Sequence, residues 1–338
     1  MKAVSVLAVA VPLALGALDH PLARTGQSVA TAVPLEPKAA ILDAFRTHQL
    51  VAIGDAHGNR QGDAFRLALI RDPQFPTLVH DILVESGNSR YQDLMDRFVR
   101  GEDVRPEALQ RVWLDTTAQQ VASLEPSELV MAVRSVNASL PRERWLRVLL
   151  GEPPIDWDRI QTVEELRKWE SEPLSDRDRF AADLLRREVF AKNRRALALY
   201  GAGHFFRKVI SQSLVTLLEN GQTKVFTIWT NAAADMASMH ADVAQWPVPS
   251  LVHIRGTILG HINIAEYFGP TGKDIPREWR APMQEQFDAV LYVGPLSTIT
   301  MSRPQPWKCS EPALAERIRR LNLQRPALAE RVKKECVQ

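Results

Sequence analysis

Cysteine is nearly absent from this chain: two residues in 338, Cys309 and Cys336, both close to the C-terminus. That count excludes a disulfide scaffold and a multi-cysteine zinc centre, and neither thiol stands in a context that marks a nucleophile. In an oxidising compartment the pair would close a loop of roughly 27 residues if their Cα atoms come within about 7 Å, and two unpaired thiols is the other reading. An excess of one charge is missing too. Lys and Arg number 42 against 40 Asp and Glu, a net +2, and the two signs are interspersed. Nothing in that pattern suits a nucleic-acid partner. Past the first 18 residues no apolar run is long enough to span a bilayer. There is no Gly-x-Ser-x-Gly elbow, no His-Glu-x-x-His helix and no repeat of solenoid length. The string Gly269-Pro270-Thr271-Gly272-Lys273-Asp274 is too short for a phosphate loop and has Asp where the hydroxyl residue belongs, so it reads as a turn.

What is present begins with Met1-Lys2 and an apolar stretch over 3–18, the layout of a secretory signal, with Pro12 and the short length against a permanent span. The resulting organisation is a signal peptide over 1–23, a loose Ala-, Thr- and Pro-rich leader over 24–37, one α/β domain over 38–308 and a charged helical tail over 309–338. An uncleaved N-terminal anchor is the alternative. The expected destination is the periplasm or the exterior, with no membrane contact after cleavage.

Within the domain, short apolar runs alternate with segments of helical period, which predicts βαβ units and a mostly parallel central sheet flanked by helices. Strands are expected over 50–53, 81–84, 145–150, 196–200 and 224–229, with weaker ones at 251–254 and 289–293. Helices are expected over 37–48, 61–71, 89–100, much of 104–140, 175–192 and 205–218. Residues 155–173 lack clear periodicity and read as an excursion over the sheet rim. Pro326 is expected to end the helical tail.

Two strings then stand out. Gly54-Asp55-Ala56-His57 and Gly201-Ala202-Gly203-His204 each follow a strand-like run directly, and a third run, Ile82-Leu83-Val84, ends in Glu85. Ligands of open α/β sheets bind beyond the carboxyl ends of parallel strands, so two imidazoles and a carboxylate converge if these runs share a sheet. Two chemistries are open to such a trio. His57, Glu85 and His204 could ligate a divalent metal that acidifies a bound water. Alternatively Glu85 or a histidine acts as base while Arg60, Arg66 or the second histidine stabilises an oxyanion. Asp55 is placed to orient His57, or to act itself as ligand or acid. Asn88 and Tyr91, just past Glu85, and Asn231, past the fifth strand, are candidates to line the same rim, although Asn88 is equally suited to cap a helix. A lone histidine is more often structural. Three strand-end hits together favour a site.

These residues resemble those of the Tiki metalloproteases, the erythromycin esterases and the ChaN-type haem-binding proteins, a superfamily with a shared α/β fold. The Tiki branch is marked by two Gly-x-x-His motifs and a glutamate, matched here by 54–57, 201–204 and Glu85. The esterase branch carries a Gly-Glu-x-x-His-Gly type string, of which Gly54-Asp55-Ala56-His57-Gly58 looks like a shortened version with Asp for Glu. The resemblance implies a hydrolase-like site at His57, Glu85 and His204, with Zn, Mn or Co on the Tiki side. From the ChaN side it implies a non-catalytic haem or metal binder. The expectation is an exported hydrolase acting on an ester, lactone or peptide bond of a small-molecule or peptide substrate, with the ChaN-type binder as alternative.

Overall fold

A computed structural model describes residues 30–117, 126–302 and 309–337. The expected signal segment and the leader up to residue 29 lie outside the described residues. Seven strands form one sheet: β1 Leu50–Asp55, β2 Asp81–Asn88, β3 Arg147–Glu152, β4 Ala196–Gly201, β5 Val225–Asn231, β6 Ser250–His253 and β7 Ala289–Tyr292. Their order is β3-β2-β4-β1-β5-β7-β6, parallel except where β6 runs against β7. The α/β fold with a mostly parallel sheet is thus the one expected.

Alternation along the strands divides the interior into two layers. Val51, Ile53, Ile82, Val148, Leu197 and Leu199 join one core with the helices Arg60–Ile70, Gln92–Val99 and Pro126–Ala138. Leu50, Ala52, Leu83, Leu149, Ala198 and Tyr200 join the other with Arg177–Glu188 and Leu214–Glu219. The two layers follow from the handedness of parallel crossovers. Connections β1 to β2 and β2 to β3 run toward one edge and lay their helices on the first face. Those from β3 to β4 and β4 to β5 run toward the other edge and use the second. The order reverses at the β1–β4 pair, and a crevice opens there at the carboxyl ends of the strands.

Four local expectations need correction. Residues 30–37 are no loose leader: Ala30 bridges Thr257, Leu35 bridges Leu251 at the edge strand β6, and Ala32 is buried. The helix expected over 205–218 is confined to Leu214–Glu219, because Ser213 caps its start and Phe206 turns into a cluster with Trp229, Phe268, Trp279 and Phe287. The excursion contains the helix Val163–Glu170, opened by a reciprocal cap between Thr162 and Glu165. Pro326 separates two tail helices, Glu311–Gln324 and Pro326–Val337, and serves as the first residue of the second.

The tail is tied to the domain. Cys309 and Cys336 are disulfide-bonded, with Cα atoms 5.3 Å apart. Arg320, 4 % exposed, donates to Leu114 O at 2.7 Å, pairs with Asp115 Oδ1 at 2.7 Å and lies over the Trp157 ring. Gln324 donates to Thr117 O. Since Asp115 keeps Arg111 and the Tyr91 hydroxyl as partners, Arg320→Ala leaves it satisfied and should cost about 1–3 kcal/mol in denaturant titration, mostly from the lost hydrogen bond to Leu114 O and lost packing. An unchanged midpoint would mean the tail is not docked in solution.

Candidate functional site

The site starts from an irregularity in β2. Its pairing with β3 shifts register between Val84 and Asn88, and its pairing with β4 stops at Val84. Gly87 adopts φ +148, where a Cβ would strike Leu150 Cδ2 at 2.6 Å, so the bend requires glycine. Glu85 leaves the ladder and reaches β4, where its Oε2 accepts the Gly201 N–H at 2.6 Å. The neighbours of Gly201 exclude a side chain: a Cβ there would stand 2.7 Å from His57 Nε2 and 3.3 Å from Glu85 Oε2.

The three strand-end residues do meet. His57 Nε2 is 3.7 Å from Glu85 Oε2, and His204 Nε2 is 3.4 Å from Glu85 Oε1. An aspartate stands behind each imidazole. Asp178 Oδ1 is 2.5 Å from His204 Nδ1, and Asp55 Oδ2 is 3.4 Å from His57 Nδ1, close enough for charge attraction but not aligned as a hydrogen bond. Asp55 is fixed in turn by Arg66, whose Nη2 bridges Asp55 Oδ1 at 2.8 Å and Asp63 Oδ1 at 2.6 Å.

Arg177, in the first turn of Arg177–Glu188, joins two buried carboxylates through Nη2: Glu85 Oε1 at 2.8 Å and Glu152 Oε1 at 2.6 Å. Thr117 donates to the other oxygen of Glu152. Asp178, Arg177 and Glu152 were not singled out from sequence. Glu152 had a legible signal, since it ends β3 as Glu85 follows the apolar core of β2. Asp178 and Arg177 look like ordinary first-turn residues of a helix, and nothing local sets them apart.

The electrostatics follow from burial and partners. Burial raises the proton affinity of Glu85, yet His204, Arg177 and His57 outweigh it and hold the carboxyl well below the usual carboxylate range. Burial alone would depress both histidines. The Asp55 and Glu85 carboxylates reverse this for His57, and Asp178 with Glu85 lifts His204 to about 9. Burial raises Asp63 to about 6 against the pull of Arg66, while Arg66 and His57 overcome burial at Asp55 and lower it. Because the folded-state value of His204 lies above its ordinary 6.5, the stability it contributes is complete below about pH 6.5 and is lost as pH rises through about 9. The stability gap between wild type and His204→Asn should therefore shrink by on the order of 1–3 kcal/mol between those values in denaturant titrations. A gap independent of pH would contradict a held imidazolium.

Other residues expected at the rim are elsewhere or already committed. Arg60 is exposed at the start of the helix Arg60–Ile70 and does not line the cavity beside His57. Asn88 is fully buried, donates to Asp115 O and Ile155 O and caps the turn Ser89–Tyr91, and Tyr91 donates to Asp115. Asn231 donates to Ala234 O at the end of β5. Arg66 does line the cavity, together with Asp55, His57 and Glu85. That cavity holds about 440 Å³ of atom-free space, part of it open to solvent.

The donor set does not fit the metal centre expected at His57, Glu85 and His204. Glu85 Oε1 is engaged by a guanidinium and Oε2 by a backbone N–H, the directions a cation would need. Among the described residues, no three His, Cys, Asp or Glu side chains are arranged to hold a metal ion. Haem finds no free axial ligand at His204, whose Nε2 faces Glu85 and which is not among the residues lining the cavity.

Comparison with known proteins adds the fold. Among solved structures, a succinoglycan biosynthesis protein superposes with a TM-score of 0.51 at 10% identity, covering 79% of this chain and 94% of that one. The likeness is one of fold. The type III effector HopBA1 gives 0.42 at 13% identity, covering 79% and 99% of the two chains. A ChaN of Campylobacter jejuni, with cofacial heme binding, gives 0.33 at 11% identity, covering 57% and 85%. No family model matches the chain, and no curated protein matches it either. Among the described residues no helix is long and apolar enough to cross a membrane.

Proposed function

We propose that the chain is a hydrolase that works without a metal ion, using His57 to activate water against an ester, lactone or peptide bond. The observation that carries this reading is the pair of Asp–His couples facing one another across Glu85, with His57 and Glu85 on the wall of the cavity. The buried Asp55 carboxylate, 3.4 Å from His57 Nδ1, stabilises by charge the imidazolium that forms when the ring takes a proton. In the step proposed, water oxygen bonds to the carbonyl carbon as its proton passes to His57 Nε2. The bond from that carbon to the leaving oxygen or nitrogen then breaks, and the same proton goes to the leaving group. His57 is the catalytic residue. Asp55, Glu85, Arg177 and Asp178 are positioning residues, and His204, protonated at neutral pH, supplies positive charge beside Glu85.

The test is a panel of p-nitrophenyl esters, lactones and peptides assayed with excess EDTA. Hydrolysis that EDTA leaves unchanged and that Glu85→Gln lowers by about 100-fold or more supports the proposal, a loss in keeping with misplaced general-base catalysis. Three results overturn it: no turnover of any substrate, loss in EDTA restored by zinc or manganese, or a haem absorbance band that titrates in stoichiometrically and disappears in Glu85→Gln. The proposal includes export. Its support is the Lys2-then-apolar N-terminus and the Cys309–Cys336 disulfide, a bond that persists in oxidising compartments.

A further inference from the structure

The cavity beside His57 is built from two kinds of wall. On one side stand the reacting group and its carboxylates. On the other, Trp113 from the helix Pro106–Leu114 and Leu129 and Val130 from the helix Pro126–Ala138 face Val84 of β2 and Leu199 of β4. Trp113, Leu129, Val130 and Leu199 are all buried, so this wall is a preformed apolar surface. The charges lining the cavity are committed. Both carboxylates that face Arg66 draw on a single nitrogen, Nη2, which reaches Asp55 and Asp63, while Glu85 is held by Arg177 and the Gly201 N–H. A carboxylate or ammonium group entering the apolar end would lose its hydration against Trp113, Leu129 and Val130, none of which carries a charge. Its roughly 440 Å³ of atom-free space includes the part open to solvent, so the enclosed end has room for a short chain only.

We propose that this cavity is the acyl pocket of the site and takes a short, uncharged, apolar acyl chain, placing the carbonyl carbon against His57. The proposal rests on the hydrolase reading and narrows it to a substrate class: esters or amides of aliphatic acids of a few carbons. The chain lies against Trp113, Leu129 and Val130, and the leaving group projects through the open side of the cavity.

The test is a series of p-nitrophenyl esters from acetate to decanoate, with the hemisuccinate as a charged analogue of butyrate, on the full chain. The kcat/KM should rise about fourfold per added methylene over the first few carbons, the factor that corresponds to about 0.8 kcal/mol per buried CH2. It should then fall once the chain outgrows the pocket, and the hemisuccinate should react at least roughly 100-fold more slowly than the butyrate. Leu129→Trp should move the optimum toward acetate and Leu129→Ala toward longer chains, each read as the ratio of rates along the series within one variant. Equal rates along the series, or equal rates for butyrate and hemisuccinate, overturn the acyl pocket and leave the hydrolase reading standing. Turnover of every ester no faster than in His57→Ala overturns that reading, and this inference with it.

Discussion

His57→Ala should lower kcat/KM by about 10²–10⁴, the range expected for removing a general base. The residue carries this effect because its side chain is 37 % exposed while its two carboxylate neighbours, Asp55 and Glu85, are nearly sealed. It is the member of the group that can meet a water molecule from the cavity. Its raised proton affinity fixes the sign of the pH dependence: a base must be unprotonated, so kcat/KM should climb as pH rises through a value above the ordinary 6.5. Asp55→Asn removes one of the two carboxylates that lift it, and the rising limb should move toward lower pH while kcat falls. A rising limb in the same place in Asp55→Asn would show that some other group is titrating. An unaltered rate in His57→Ala would end its role altogether.

Arg177→Met should have the largest effect on stability, about 3–5 kcal/mol, because it strips the shared counter-charge from two buried carboxylates. The consequences for the two are unequal. Glu85 retains the Gly201 N–H and both imidazoles. Glu152, 1 % exposed, keeps Thr117 alone among the described residues, and burial already raises its proton affinity despite Arg177. In the variant Glu152 should hold a proton in the folded state, so the variant's stability should fall as pH rises above the ordinary range of a glutamate. The Arg177→Met, Glu152→Gln double variant removes the carboxylate that the lost arginine neutralised and should recover much of the deficit, most visibly at higher pH. Thermal unfolding across pH measures this directly. A double variant as unstable as the single one at every pH would show that the arginine acts by packing and not by charge.

Much of this site was legible because parallel strands announce themselves locally. Apolar runs at 50–53, 82–84 and 196–200 are followed at once by the residues that stand past their ends, and the first residues beyond a buried parallel strand face the binding rim whatever the remainder of the chain does. His57, Glu85, Asp55 and His204 could be read on that ground. Arg60, Asn88, Tyr91 and Asn231 were read on proximity in sequence alone, and that criterion is weaker. Asn88 lies three residues from Glu85, but the register shift in β2 turns it into the interior toward Asp115 and Ile155. Arg60 and Arg66 share one helix. Six residues apart at 3.6 per turn they point in different directions, so only Arg66 faces Asp55.

From the sequence alone came the class of fold and the composition of the strand tips, because side-chain period and glycine placement are properties of a few neighbouring residues. The pairing of β4 with both β1 and β2, which brings His57 and His204 to opposite sides of one carboxylate, was decided by the tertiary structure. So were the arginine and aspartate of the Arg177–Glu188 helix and the glutamate of β3 that hold the group in its charge state. Strand order and crossover packing depend on contacts between residues more than a hundred positions apart, and no local pattern records which distant carboxylate a given arginine will neutralise.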